Sequence, residues 1–476
     1  MMGKRIDWEA LFLLVVMAAA TAVAAAGGGV DVEDEGWWRE GGSDWFLLKD
    51  SKHVVKTDAG EMKVVRGVRG KSITNPMHIG FITMEPRSLF IPQYLDSSLI
   101  IFLRAGEARV GHIYKDKLVE RTLKMGDIYR IEAGSAFYVI NTDHSHSLHM
   151  ICSIDAFESL HWHTIQSFFI AGGTYPTSVL SGFEPSTLSA AFNVSEAELS
   201  EMLTRQKHGP IVHLSDNSHS WSKFLDMKRH EKLARMRKIV GIKEEDVEEE
   251  GSTWCSFKEM LVSMLAKADK RQDDGWSKTG RGPGSCNIYE RKADFKNNYG
   301  WSVSLDESDY SPLKHSDTGV YLVSLTKGSM MAPHINPRAT EYGIVLQGSG
   351  TIQIVFPNGS LAMNSNVSQG DVFWIPRYFP FCQIASRTAQ FEFFGFTTSA
   401  RNNRPQFLAG ANSMLNAMKG PEFAASFGMS SSRFKRIIDA QRESAILPAW
   451  PSTTSSAEVE VEAGGFGDEI LDLEFD

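Results

Sequence analysis

The sequence predicts an all-β fold with helical extensions, arranged as two barrels in tandem. Three observations carry this: an internal duplication, many short strand-like runs inside each copy, and a capped apolar segment after each. The duplication is read directly. Gly126-Asp127-Ile128-Tyr129-Arg130-Ile131 returns as Gly370-Asp371-Val372-Phe373-Trp374-Ile375, and Phe169-Ile170-Ala171-Gly172 returns as Phe407-Leu408-Ala409-Gly410. Ala190-Ala191-Phe192 before Ser195 matches Ala424-Ala425-Ser426-Phe427 before Ser430. The order is constant and the offset is about 240 residues, too long for a solenoid repeat and right for a whole domain.

Inside the first copy, Leu99–Leu103, Ala108–Ile113, Ile128–Glu132, Phe137–Asn141 and Leu148–Ser153 are β-rich runs separated by Gly, Asp, Asn and Ser. The second copy repeats the pattern at Gly319–Leu325, Thr340–Leu346, Gly350–Phe356, Val372–Ile375 and Gln390–Phe394. Closely spaced short strands favour a barrel or sandwich over an α/β fold. After the first copy, Ser195-Glu196-Ala197-Glu198 reads as a capping box before Leu199, Met202 and Leu203. Ser432–Gln441 takes that place in the second copy, with Phe434, Ile437 and Ile438 on one face. Such a stripe has to bury itself against its own barrel or against another subunit.

The domain plan that follows is a signal peptide over 1–26, a first barrel with its tail over 45–215, a polar linker over 216–284, a second barrel with its tail over 285–445, and an acidic disordered tail over 446–476. Lys4 and Arg5, the apolar run Leu11–Ala20 and small residues through Ala26 have the layout of a cleaved signal. No later run is long and apolar enough for a membrane span. The formal charge of −9, with cations dispersed outside Lys228–Lys238, offers no face for nucleic acid. That basic stretch precedes the acidic run Glu244–Glu250, and the pair reads as a solvated linker of mixed sign.

Four cysteines are too sparse to staple a chain of 476 residues. Cys152 and Cys382 read as buried free thiols, whereas Cys255 and Cys286 flank the linker and are the candidate pair for a bridge closing it. Entry to the secretory route gives meaning to three glycosylation sequons, at Asn193, Asn358 and Asn366; Asn358-Gly359 has the look of a hairpin turn. The histidine groups His144, His146, His149 and His161, His163 lack a completing carboxylate or cysteine and read as surface residues.

Gly328, His334, Asn336, Glu341 and Gly348 reproduce the spacing of the first cupin motif, and Gly370, Asp371 and Pro376 that of the second; Gly126, Gly134 and Asn141 do so in the first copy. With Ser88-Leu89-Phe90-Ile91-Pro92 and the two helical tails, the chain resembles a vicilin-type bicupin over residues 45 to 445. The resemblance implies two cupin (double-stranded β-helix, or jelly-roll) barrels, homotrimers joined through the tails, and deposition in a storage vacuole as a nutrient reserve. It also locates the barrel positions that hold metal in active cupins. In the second copy they carry His334, Asn336, Glu341 and Phe381, so His334 and Glu341 are vestigial ligands; in the first they carry Gln93, Leu95, Leu99 and Phe137. Two ligands rarely fix a catalytic metal against water. The reading is therefore a storage protein with no cofactor, no catalytic residues and no obligatory substrate. The alternatives are a metal-dependent secretory cupin enzyme and a small-ligand-binding cupin.

Overall fold

The computed structural model describes residues 43–68, 76–114, 117–155, 159–160, 164–214, 284–401 and 403–450. The signal peptide, the Lys228–Lys238 and Glu244–Glu250 runs, Cys255, His161, His163 and the chain after residue 450 lie outside them. Both barrels fall in one compact unit that begins at Phe46.

The first barrel is made of β1 (Ser51–Thr57), β2 (Gly60–Val65), β3 (His78–Met84), β4 (Ser88–Leu95), β5 (Ser98–Ala105), β6 (Glu107–Tyr114), β7 (Lys117–Lys124), β8 (Asp127–Ile131), β9 (Phe137–Asn141) and β10 (Leu148–Asp155), with short β11 (Ser167–Phe169) and β12 (Ile211–His213). One sheet runs β1-β2-β3-β10-β5-β8; the facing sheet runs β11-β4-β9-β6-β7, with β12 beside β4. All pairings are antiparallel. Inward residues such as Met62, Ile82, Leu99, Ile101, Val110 and Val139 form one apolar cluster between the sheets, as alternation of side chains along each strand requires.

The strands β13 (Cys286–Asn287), β14 (Phe295–Asn297), β15 (Gly300–Leu305), β16 (Gly319–Leu325), β17 (Ser329–Ile335), β18 (Glu341–Val355), β19 (Leu361–Ser368), β20 (Val372–Ile375), β21 (Phe381–Ala385), β22 (Phe391–Thr397), β23 (Gln406–Phe407) and β24 (Ile446–Pro448) follow. From β14 onward the second barrel repeats the first strand for strand. β23 and β24 flank β17 as β11 and β12 flank β4. One difference is visible at the first cupin motif. The runs Thr340–Leu346 and Gly350–Phe356 are a single strand, β18, which passes through Gly348 at φ +79 without breaking; the matching Gly106, at φ +89, separates β5 from β6.

Strand pairings cross the expected domain boundaries. Cys286 and Asn287, expected to start the second barrel, pair with Ile128 and Asp127 and extend the first barrel's sheet. Conversely Leu47 bridges Phe373, and Leu48 N donates to Val372 O, so the chain ahead of the first barrel completes the second. Phe46 anchors this strap, packing against Phe356, Trp374 and Phe379. The acidic tail cannot start at 446, because Ile446 and Leu447 are buried in β24. Between the barrels, Phe102 stacks on Phe394 with centroids 4.1 Å apart, Arg104 donates to Leu346 O, and Lys124 meets Glu290.

Each barrel carries its helical tail: α1 (Pro185–Phe192) and α2 (Glu196–Thr204) after the first, α3 (Met414–Ala417), α4 (Pro421–Ser426) and α5 (Ser431–Ile438) after the second. The capping box forms as expected: Ser195 Oγ accepts from Glu198 N while the Glu198 carboxylate accepts from Ser195 N. Leu199 and Phe434 are buried, but Phe192, Met202, Phe427 and Ile437 remain exposed. No helix among the described residues is long and apolar enough to cross a membrane.

Candidate functional site: the interior of the second barrel

The strand register shows how each vestigial ligand position is filled. His334 on β17 faces Phe381 on β21, and Gln93 on β4 faces Phe137 on β9. Glu341 pairs with Ile375, and Leu99 with Ile131. The correspondences assigned from the sequence therefore hold in space. In the first barrel a buried Leu99 gains roughly 2 kcal/mol from leaving water, where a carboxyl would have to be desolvated. Gln93 is fully buried there, and neither end of its amide meets a partner among the described residues.

The second barrel is built differently. His334 is 1 % exposed and in ring contact with Phe381, centroids 4.0 Å apart. Its Nδ1 lies 2.7 Å from Ala332 O; a carbonyl only accepts, so Nδ1 carries the proton and Nε2 the lone pair. Burial lowers its pKa from 6.5 to about 4, and the ring is neutral. Asn336 is committed on both sides: its amide nitrogen donates to Glu341 Oε1 at 2.8 Å, and its oxygen accepts from Arg338 N and Ala339 N, closing the turn into β18. Its loss of ligand character thus serves the loop. Burial raises the Glu341 carboxyl from 4.5 to about 7, against the opposing pull of the Asn336 bond.

Tyr321 on β16 completes the group. It lies directly across from Gly395 on β22, and its ring covers that glycine; a Cβ there would run into it. Burial, with the Glu341 carboxyl beside it, pushes its pKa well up, and its hydroxyl donates to Glu341 through a contact looser than the Asn336 bond. Tyr321, His334, Asn336 and Glu341 line one cavity of about 720 Å³ together with Gln383 and Phe407. Cys382, next to Gln383 on β21, does not line it; its thiol donates to Gln353 Oε1 at 3.6 Å, as strand alternation predicts. No cluster of three or more His, Cys, Asp or Glu with metal-holding geometry occurs among the described residues. Tyr321 and Gln383 were not anticipated, because neither belongs to a cupin motif; period-2 alternation on β16 and β21 was the available signal.

The other marked residues sit apart. His146 pairs with Asp143, and His149 lies 3.3 Å from Thr83, both at the surface. Cys152, Cys286 and Cys382 are free thiols, so the bridge expected at Cys286 is not formed in this structure; Cys255 lies outside the described residues. Asn193, Asn358 and Asn366 are all exposed, and Asn358 occupies the turn joining β18 to β19, where Gly359 has φ +81.

The Cupin family model matches residues 286–435. A vicilin-like seed storage protein of Arabidopsis thaliana is 52 % identical over 422 residues, covering 86 % of this chain and 81 % of that one. The chain belongs to the vicilin-like seed storage proteins. Like its relatives it is a storage globulin and not an enzyme. The vicilin of hazelnut, Corylus avellana, has the same fold, with a TM-score of 0.67 at 22 % identity over 85 % of this chain and 99 % of that one. A Solanum melongena vicilin, in which different anionic ligands occupy structurally similar pockets, superposes with a TM-score of 0.68 at 21 % identity, covering 86 % of this chain and 98 % of that one.

Proposed function

We propose that this vicilin-like chain enters the secretory pathway, assembles as a homotrimer through its two helical tails, and is laid down in a storage vacuole as a nutrient reserve. The observation that carries the assembly is the apolar surface left open on both tails: Phe192 and Met202 on one, Phe427 and Ile437 on the other. Two pseudo-equivalent faces on one chain suit a closed ring, since a head-to-tail contact that closes buries both faces on every copy. The exposed sequons at Asn193, Asn358 and Asn366 agree with passage through the secretory route, Asn358 being the best presented.

Light scattering coupled to size exclusion tests the assembly. Wild type is expected at three times the chain mass, and the pair Met202→Glu and Ile437→Glu at the monomer mass with an unchanged β-sheet circular dichroism spectrum. A trimer that survives both charges would remove the tails from the interface. Accumulation during seed maturation followed by breakdown on germination is the matching observation for the reserve role.

A further inference from the structure

The second-barrel cavity is lined by several acceptors that lack a donor on the chain. Gln383 Oε1 and Asn403 Oδ1 are buried without a partner among the described residues. The Nε2 lone pair of His334 is left by the tautomer that Ala332 O imposes. Glu341 accepts from Asn336 Nδ2 and from the Tyr321 hydroxyl, and neither donor carries a charge.

The charges on the outer wall do not supply what is missing. Arg291 is held by Asp294 and Asp309, and the Asp306 carboxylate caps the turn at Ser308; Arg404 completes that wall. The inner walls are aromatic, from Tyr321, Phe393 and Phe407. An acid without a cation, several acceptors without donors, and ring faces together call for a group with three N–H donors and a positive charge. We propose that this cavity binds a small primary ammonium compound, with Glu341 as counter-ion and Gln383 and Asn403 accepting its N–H bonds. The first barrel has Leu99 and Gln93 in place of Glu341 and His334, so the expected stoichiometry is one per chain. This goes beyond the storage role and does not depend on it.

The test is isothermal titration of the full-length protein at physiological salt with 1,4-diaminobutane, and with acetate as the opposite-charge probe. The expected result is one diamine per chain and no displacement of it by acetate. Glu341→Gln keeps the shape and the Asn336 bond, and should weaken the diamine at least about tenfold, since the buried cation loses its counter-charge. Tyr321→Phe removes a neutral donor to Glu341 and leaves the charge in place, so it should weaken the diamine less. Acetate binding in preference to the amine, no amine binding by the folded wild type, or an unchanged affinity in Glu341→Gln would each overturn the proposal.

Discussion

Replacing Glu341 by Gln should alter how stability depends on pH rather than stability at every pH. The carboxyl is displaced from 4.5 in the unfolded chain to about 7 in the barrel, principally by burial. Below pH 4.5 it is protonated in both states and costs nothing. Between 4.5 and about 7 the unfolded chain releases the proton and the folded chain keeps it, so stability falls as pH rises. At about 1.4 kcal/mol per pH unit, the full cost is roughly 3 kcal/mol, reached above pH 7. Glutamine has the same shape and can accept from Asn336, but has no proton to lose. The variant and wild type should therefore differ by under about 1 kcal/mol at pH 5 and separate to about 3 kcal/mol in favour of the variant at pH 8. His334 and His78, both lowered to about 4 chiefly by burial, lose stability as pH falls below 6.5 in both proteins and cancel in the difference. Urea midpoints followed by tryptophan fluorescence from pH 5 to 8 measure it. Two curves that stay parallel would mean that Glu341 is solvated or ionised throughout, and the account of the cavity would fail.

Other consequences are as direct. Tyr378 holds φ +77 where the first barrel has Gly134 at +75, and both donate N–H to the matching strand's carbonyl; Tyr378→Gly should raise stability by about 1 kcal/mol in thermal unfolding despite losing the Arg377 contact. Phe394→Ala should cost about 3–5 kcal/mol, and a double-mutant cycle with Phe102→Ala should return a coupling of about 1 kcal/mol for the stacked pair. Ser195→Ala removes one half of the capping box and should cost about 1 kcal/mol, read as faster amide exchange confined to α2. Gly395→Ala should displace the Tyr321 ring and lower the midpoint of thermal unfolding.

The duplication, the strand-rich core and the capped tails were legible because each rests on local signals: turn residues at fixed positions, alternation, and a Ser–Glu pair three apart. The positions of Gln93, Leu99, Asn336 and Phe381 were legible because a motif fixes register, and register fixes which side chains face inward. The strap of Phe46–Leu48 and the exchanged Cys286–Asn287 were not, since a two- or three-residue edge strand has no period to read and pairs with a partner more than a hundred residues away. Tyr321 escaped for a related reason. Its place over Gly395 is a cross-strand pair, invisible until β16 and β22 are aligned.

The exchange of edge segments gives the chain a property that neither half has alone. Everything needed to finish the second barrel's sheet, Phe46 to Leu48, is carried by the amino-terminal half, and the strand that closes the first barrel, Cys286–Asn287, travels with the carboxy-terminal half. Scission of the connection between residues 214 and 284 would therefore leave two fragments that clasp one another, each still wearing a piece of the other. Such a nicked molecule would migrate as one particle in native conditions and as two bands only after denaturation.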